Sequence, residues 1–412
     1  MLLVERHQAA LTATLLAICC LGTQSSAQDD SSGGRSVGAA RGMNLGSAVE
    51  DIDEAGGLTV SFQLAYYGHD DNPGDGNPFL DEDLTVIEPV LIFDQDLTNT
   101  FGYTAMISYD RVTSASIDRL SNFEDQSGAS GDNYIGLDLG FRHKMSDTLR
   151  LGWHVGGSVE YDYTSIGLGG TATIEPDGGD RVFTFGLNGY VDSIDLIRFD
   201  GNEDDGTDSR TSVTLSASWW QLLSPTMWGE LGVTLANQSG FLATPYNAVV
   251  IDDDMFPDGN PALDNNATGS ETNEVLPDSR MRYALHGRLR KRIRPGTALE
   301  FGGRLYNDDW GITSFTVEPA IYQTVIPDEL DLMVRYRYYT QTEADYFDLN
   351  LTTEQTFQTQ DSDLGEFDTN TLGARLIWYQ NENQSFNVGL DFASRSDGLD
   401  YIYGSIGWSA TY

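Results

Sequence analysis

The chain has 412 residues, with 23 Lys and Arg against 63 Asp and Glu, for a formal net charge of −40. Charge this negative excludes nucleic acid as a partner and argues against docking on an anionic membrane surface. The length suits two or three soluble domains or one large barrel.

The first 27 residues read as an export signal peptide. Arg6 and His7 precede an apolar run over residues 9–21, and Ser25, Ser26 and Ala27 offer small side chains for cleavage before Gln28. The run is short for a membrane-spanning helix. Both cysteines, Cys19 and Cys20, lie inside it, and Ile18 directly before Cys19 does not suit lipid attachment. The mature chain is therefore expected to have no disulfide framework. Residues 28–57, rich in Asp, Ser, Gly and Ala, read as a flexible periplasmic segment.

From residue 58 to residue 412, segments of about ten residues alternate apolar and polar side chains, the length and period of a tilted membrane strand. In "FGYTAMISY" the set Phe101, Tyr103, Ala105, Ile107 and Tyr109 shares one face. "YIGLDLGF" turns Ile135, Leu137, Leu139 and Phe141 outward, and "LRLGWHVGGSV" turns Leu149, Leu151, Trp153 and Val155 outward with His154 inward. "TSVTLSASW" sets Val213, Leu215, Ala217 and Trp219 against Ser and Thr, and "TLGARLIW" gives Leu372, Ala374, Leu376 and Trp378. The final "YIYGSIGWSATY" puts Ile402, Ile406, Trp408 and Tyr412 on one face.

An all-β, transmembrane, antiparallel up-and-down barrel of about 16 strands follows. Strands are expected to begin near 58, 85, 100, 133, 148, 163, 181, 211, 226, 280, 297, 311, 329, 368, 384 and 400. About 14 strands also fits, because Pro89 interrupts one segment and 163–174 is Gly-rich. Short turns ("DQDLTN", "KMSD", "EPDGGD", "LLSPT", "KRIRPG", "IPDE", "QNENQ") alternate with connections that are often long and acidic: 68–83, 111–132, 193–210, 238–279 and 342–367. This is the plan of short periplasmic turns and long extracellular loops, which places the protein in the outer membrane of a Gram-negative bacterium. Outward aromatics collect near the short turns: Phe101, Phe141, Trp219, Trp378, Phe386, Trp408 and Tyr412.

The segments "SVEYDYTSIGLG" (158–169), "QLLSPTMWGELGVTLANQSGFLATPYNAVV" (221–250), "LPDSRMRYALHGRLR" (276–290), "LYNDDWGITSFTVEP" (305–319) and above all "VRYRYYTQTEADYF" (334–347) resemble the bacterial family called domain of unknown function 3570. The resemblance runs from about residue 85 to the end. It implies an outer-membrane barrel with no established activity, and this chain differs from it in the acidity of 198–208 and 251–274.

Period two turns Arg282, His286, Arg288, Arg290, Arg304, Arg335, Arg337 and Arg375 into the lumen, beside Glu300, Glu318 and Asp331. Two readings stand. A basic strip could line a water-filled pore and select anions or orient an unknown solute; or Arg and Glu could pair in a network that stabilises the wall. Tyr339, Gln341, Glu343 and Asp345 are candidates for a stacking and hydrogen-bonding site at the pore mouth, against the plainer reading of loop packing. Trp408 and Tyr412 match the C-terminal tag that the barrel-assembly machinery recognises. Asp-rich "DQDLTN" (94–99), "DGNEDDGTDS" (200–209) and "DDDMFPDGN" (252–260) offer oxygen ligands for Ca or Mg, and could bridge to lipopolysaccharide, although none has the spacing of a twelve-residue calcium loop. No zinc spacing, G-x-S-x-G or phosphate loop occurs, so no cofactor is expected and no motif supports an enzyme, the least favoured class. Three functions remain: a pore or solute-specific conduit, a plugged barrel that holds a periplasmic or surface partner, and an outer-membrane hydrolase using His154 or His286.

Overall fold

A computed structural model describes residues 56–71, 80–81, 83–114, 117–118, 133–176, 178–198, 203–251 and 270–412. The expected signal peptide, nearly all of the N-terminal segment, and most of loops 68–83 and 111–132 lie outside the described residues, as does "DDDMFPDGN".

The strands are β1 (Leu58–Asp71), β2 (Leu80–Asp81), β3 (Asp83–Thr98), β4 (Phe101–Ser114), β5 (Ile117–Asp118), β6 (Asn133–Lys144), β7 (Leu149–Val159), β8 (Tyr163–Ile174), β9 (Arg181–Asp195), β10 (Thr207–Ser224), β11 (Met227–Gly240), β12 (Ala248–Ile251), β13 (Ser270–Asn273), β14 (Ser279–Arg294), β15 (Thr297–Asp308), β16 (Thr313–Ile326), β17 (Leu330–Gln341), β18 (Phe367–Asn381), β19 (Gln384–Arg395) and β20 (Leu399–Thr411). Sixteen of them form one closed antiparallel barrel; β2 with β5 and β12 with β13 are separate two-stranded ribbons. The seam joins β20 to β1, with Phe62 opposite Trp408. There the start of β1 and the residue after β20 exchange backbone hydrogen bonds, Leu58 N to Tyr412 O at 3.2 Å and Tyr412 N to Leu58 O at 2.9 Å. Closure leaves the barrel itself no free edge.

The structure decides for sixteen strands over fourteen. Pro89 is accommodated because the β3–β4 ladder skips Glu88 and Pro89, where the proline has no N–H to give. β8 is a full strand despite its glycines: Gly167 and Gly169 face the lumen, under Tyr190 and under His154 and Asn188, while Gly170 is on the outward phase with Ile166 and Leu168. One expected turn is corrected. "DQDLTN" is not a loop, since β3 runs through Asp94 and Asp96 to Thr98.

Alternation sorts the side chains as expected. Ile135, Leu137 and Leu139 are exposed on the outer face, while Tyr134 and Arg142 are buried inside. At the short-turn rim the outward rings stack: Phe141 on Trp153 at 5.9 Å and Trp378 on Phe386 at 5.5 Å. At the other rim outward tyrosines meet polar partners, Tyr109 to Asn133 at 2.6 Å, Tyr336 to Asn370 at 2.6 Å and Tyr338 to Asp368 at 3.0 Å. Trp378 and Asn370 are eight residues apart on one strand. With a ~40° tilt and ~3.3 Å per residue this gives roughly 20 Å of apolar height, close to the hydrocarbon band of an outer-membrane barrel.

Candidate functional site

Seven of the eight lumen candidates and Arg290 sit on four adjacent strands, β14 to β17, and Arg375 is on the next, β18. In register, His286 and Arg288 face Arg304 and Gly302 across β14–β15. Gly302 faces Glu318 across β15–β16, and Arg335 faces Gly373 across β17–β18. All these side chains project inward. The network reading accounts for several of them. Arg335 donates to Asp391 at 3.0 Å and to Glu318 at 3.2 Å. Arg288 lies 3.8 Å from Glu300, and His286 lies 3.5 Å from Glu230. Arg290 stacks on Tyr322 at 3.7 Å. Arg282, opposite Asp308, and Arg375, opposite Met333, are both buried. Arg337 differs: its contact is the ring of Tyr339 at 5.6 Å, and it makes no hydrogen bond or ion pair among the described residues. Asp391 and Glu230 had not been picked out from the sequence, although period two places both inward in "FNVGLDF" and "MWGELGV".

The opposite wall is built from small and hydroxyl side chains. In a ring of sixteen, strands eight places apart face each other, so β17 faces β7 and β18 faces β8. Here His154 holds Asn188 at 2.9 Å and approaches Asp138 at 3.5 Å. Both His154 and Asn188 lie directly over Gly169, where a Cβ would collide with them. Tyr190 lies flat over Gly167 in the same way, pointing inward, yet is 38% exposed. The lumen at this level is therefore wide enough to hold water beside the Tyr190 ring. The hydroxyl row Ser212, Thr214, Ser216 and Ser218 of β10 is likewise half-exposed.

"DQDLTN" carries a built ion cluster. Arg142 on β6 donates to Asp94 at 2.6 and 2.8 Å and to Asp96 at 2.6 and 3.0 Å. The carboxylates considered as metal ligands thus already hold a guanidinium. Among the described residues no group of three or more His, Cys, Asp or Glu is disposed to hold a metal ion.

The long-loop end is capped. Leu242, Ala243 and Leu276 from the 241–278 connection, Ala344 and Leu364 from the 342–366 connection, and Trp310 and Ile312 from the β15–β16 turn form one hydrophobic core. They pack on Tyr306 and Ala284, which face into the barrel. Asp308 is the hub of this cap. It accepts from Arg280 at 2.6 Å, Tyr306 at 2.7 Å, and the backbone N–H of Trp310 at 3.1 Å and Ile312 at 2.9 Å. The pore-mouth candidates belong to the cap too. Tyr339 is buried and donates to Gln341 at 2.6 Å, and Gln341 donates to the carbonyls of Asp363 and Gly365. Tyr339 and Gln341 therefore anchor a loop, and neither ring nor amide is free to stack on a solute. Glu343 and Asp345 are exposed, and the Asp345 N–H donates to Trp310 O at 2.8 Å. Arg395 ties the same loop to the rim through Asp363.

One carboxyl is sealed in the seam between the two loops. Glu274 accepts from Thr244 N at 2.6 Å and from the Thr359 hydroxyl at 2.5 Å. Burial pushes it up to about 7, against the lowering effect of these donors and of Asn247. The segments that carry the family resemblance, 276–290, 305–319 and 334–347, converge on this cap and on the strands beneath it.

The family described as "Protein of unknown function (DUF3570)" matches residues 36–407. No curated protein matches the chain. A bacterial polysaccharide outer membrane secretin is similar at 10% identity and a TM-score of 0.46, over 86% of this chain and 98% of that one. OpdQ of Pseudomonas aeruginosa is 10% identical, over 86% and 98% with a TM-score of 0.42. CymD, a monoaromatic hydrocarbon channel, is 8% identical, over 88% and 90% with a TM-score of 0.41.

Proposed function

We propose that this chain, which belongs to the DUF3570 family, is a conduit in a Gram-negative outer membrane that passes small anionic solutes through a partly capped lumen. The observation that carries this reading is the contrast between the two faces of one closed wall. Outside is an apolar belt edged by aromatic rings. Inside are charged and hydroxyl side chains that keep contact with solvent, His286 and Tyr190 among them. Such a wall has no use for its inner polarity unless water fills the cylinder. The Arg strip on β14–β18 sets the sign of the preferred ion.

A second reading is favoured by the cap. Its hydrophobic core, built from two loops and resting on inward-facing Tyr306 and Ala284, suits a plugged barrel that presents the cap to a partner. Planar-bilayer recording of the purified full chain separates the two. A conduit gives stepwise current with anion preference. A permanently plugged scaffold gives none, and that result would overturn the proposal.

A further inference from the structure

We infer that Arg337 is an anion-binding station in the lumen and that its ligand is a carboxylate carried on a planar ring; this deepens the conduit reading and rests on it. The neighbouring guanidiniums are committed. Arg335, two residues away on the same face, is held by Glu318 and by Asp391. Arg395 is held by Asp363 and Asp397. Arg337 makes no hydrogen bond or ion pair among the described residues; it is half-buried, and Glu318 and Tyr401 act on its charge only at longer range. A half-buried cation on a wall of low polarisability, with no direct carboxylate contact, attracts an anion more strongly than the same group in bulk water.

Register supplies the second half of the site. Arg337 pairs with Thr371, Thr371 with Ala393, and Ala393 with Tyr401, so one row runs across four strands. Thr371 and Ala393 are small and are 6% and 0% exposed. Tyr401 therefore flanks Arg337 across a low, covered step of the wall, and it is backed by Tyr67 at 6.1 Å. Arg337 and Tyr401 lie close enough to act on each other electrostatically, so a carboxylate that reaches the guanidinium brings a ring attached to it against the Tyr401 side chain. One guanidinium offers two parallel N–H donors, which match a single-charged carboxylate. A phosphate dianion calls for a second cation, and Arg335 has already spent its donors on Glu318 and Asp391.

The test uses the full chain in planar bilayers with four probes: benzoate, acetate, inorganic phosphate and benzyl alcohol. Benzoate is expected to interrupt the current at the lowest concentration. Acetate and phosphate should need about tenfold more, and benzyl alcohol should not act. Arg337→Gln is expected to weaken benzoate block by about tenfold or more while steps of current remain, the loss that follows from removing one charge-assisted hydrogen-bonded contact. Arg337→Lys keeps the charge without the fork, should give an intermediate value, and decides the matter if the Gln variant does not fold. Equal benzoate block in wild type and variants overturns the station, and phosphate acting at lower concentration than benzoate overturns the ligand class. A silent wild type overturns the conduit alone. In that case calorimetric titration of detergent-solubilised protein with benzoate still decides: heat lost on Arg337→Gln upholds the station, and no heat in wild type overturns it.

Discussion

Trp310→Ala should open the cap without loosening the barrel. Trp310 is 1% exposed in the turn between β15 and β16, outside the barrel ladder. Its indole N–H donates to Ser279 O at 2.9 Å, the Arg280 guanidinium lies 4.3 Å above its ring, and Tyr346 meets it edge-on at 6.1 Å. Truncating a buried Trp costs about 3–5 kcal/mol, with the lost hydrogen bond and cation–π contact contributing toward the upper end. Because these contacts join the two loops to the rim and not strand to strand, the loss falls on local closure of the cap. About 4 kcal/mol shifts that equilibrium by roughly 10³. Limited proteolysis in lipid vesicles reads the shift directly, with cleavage in 342–366 much faster in the variant while urea unfolding of the barrel keeps its midpoint. Unchanged cleavage together with a lowered barrel midpoint would refute the view of the cap as a separate cooperative unit.

Three further outcomes follow from the ion clusters. Glu274 is pushed from 4.5 up to about 7 in the closed cap, so the closed state binds its proton more tightly than the open one. Closure is then strongest below pH 4.5 and weakens as pH rises through about 7, by an amount on the order of 3 kcal/mol. Protection factors of amides in 342–366, corrected for the intrinsic rise of exchange with pH, should fall between pH 4.5 and about 7, and Glu274→Gln should flatten that dependence. Arg142→Ala leaves Asp94 and Asp96 facing each other without a cation, and should lower barrel stability by about 2–3 kcal/mol in urea unfolding, the pair being partly solvated. Adding Asp94→Asn and Asp96→Asn should recover part of the loss. Arg335→Gln unmasks Glu318 and Asp391 in the lumen. Its reversal potential in a salt gradient should move toward cation preference.

The strands were legible because an apolar outer face and a polar inner face impose the same two-residue period on every segment. Strand starts differ from expectation by at most four residues, the largest at β10, which starts at Thr207 where 211 was expected. There Thr207 and Asp208 continue pairing with Asp195 and Ile194 at the loop end of the strand, where the apolar signal has already ended. "DQDLTN" was misread because its acids look like a turn, although Asp94 and Asp96 keep the inward phase of Val90 and Ile92. Their partner, Arg142, is nearly fifty residues away, and nothing local to either segment reveals the match. The cap was not legible at all. Leu242, Trp310, Ala344 and Leu364 are scattered over more than a hundred residues with no period to link them, and only the closed barrel brings their loops to one rim. For the same reason the sequence left Tyr339 and Gln341 open between a solute site and loop packing, and in the structure they hold a loop.

Single-cysteine labelling along β10 tests the central claim most directly, in full chain carrying Cys19→Ser and Cys20→Ser and inserted in lipid vesicles. A membrane-impermeant thiol reagent should label cysteines at Ser212, Thr214, Ser216 and Ser218 through the water-filled lumen. The same reagent should spare cysteines at Val213, Leu215, Ala217 and Trp219, which face hydrocarbon. Uniform labelling, or protection of both sets, would contradict a closed wall with lipid on one side and water on the other.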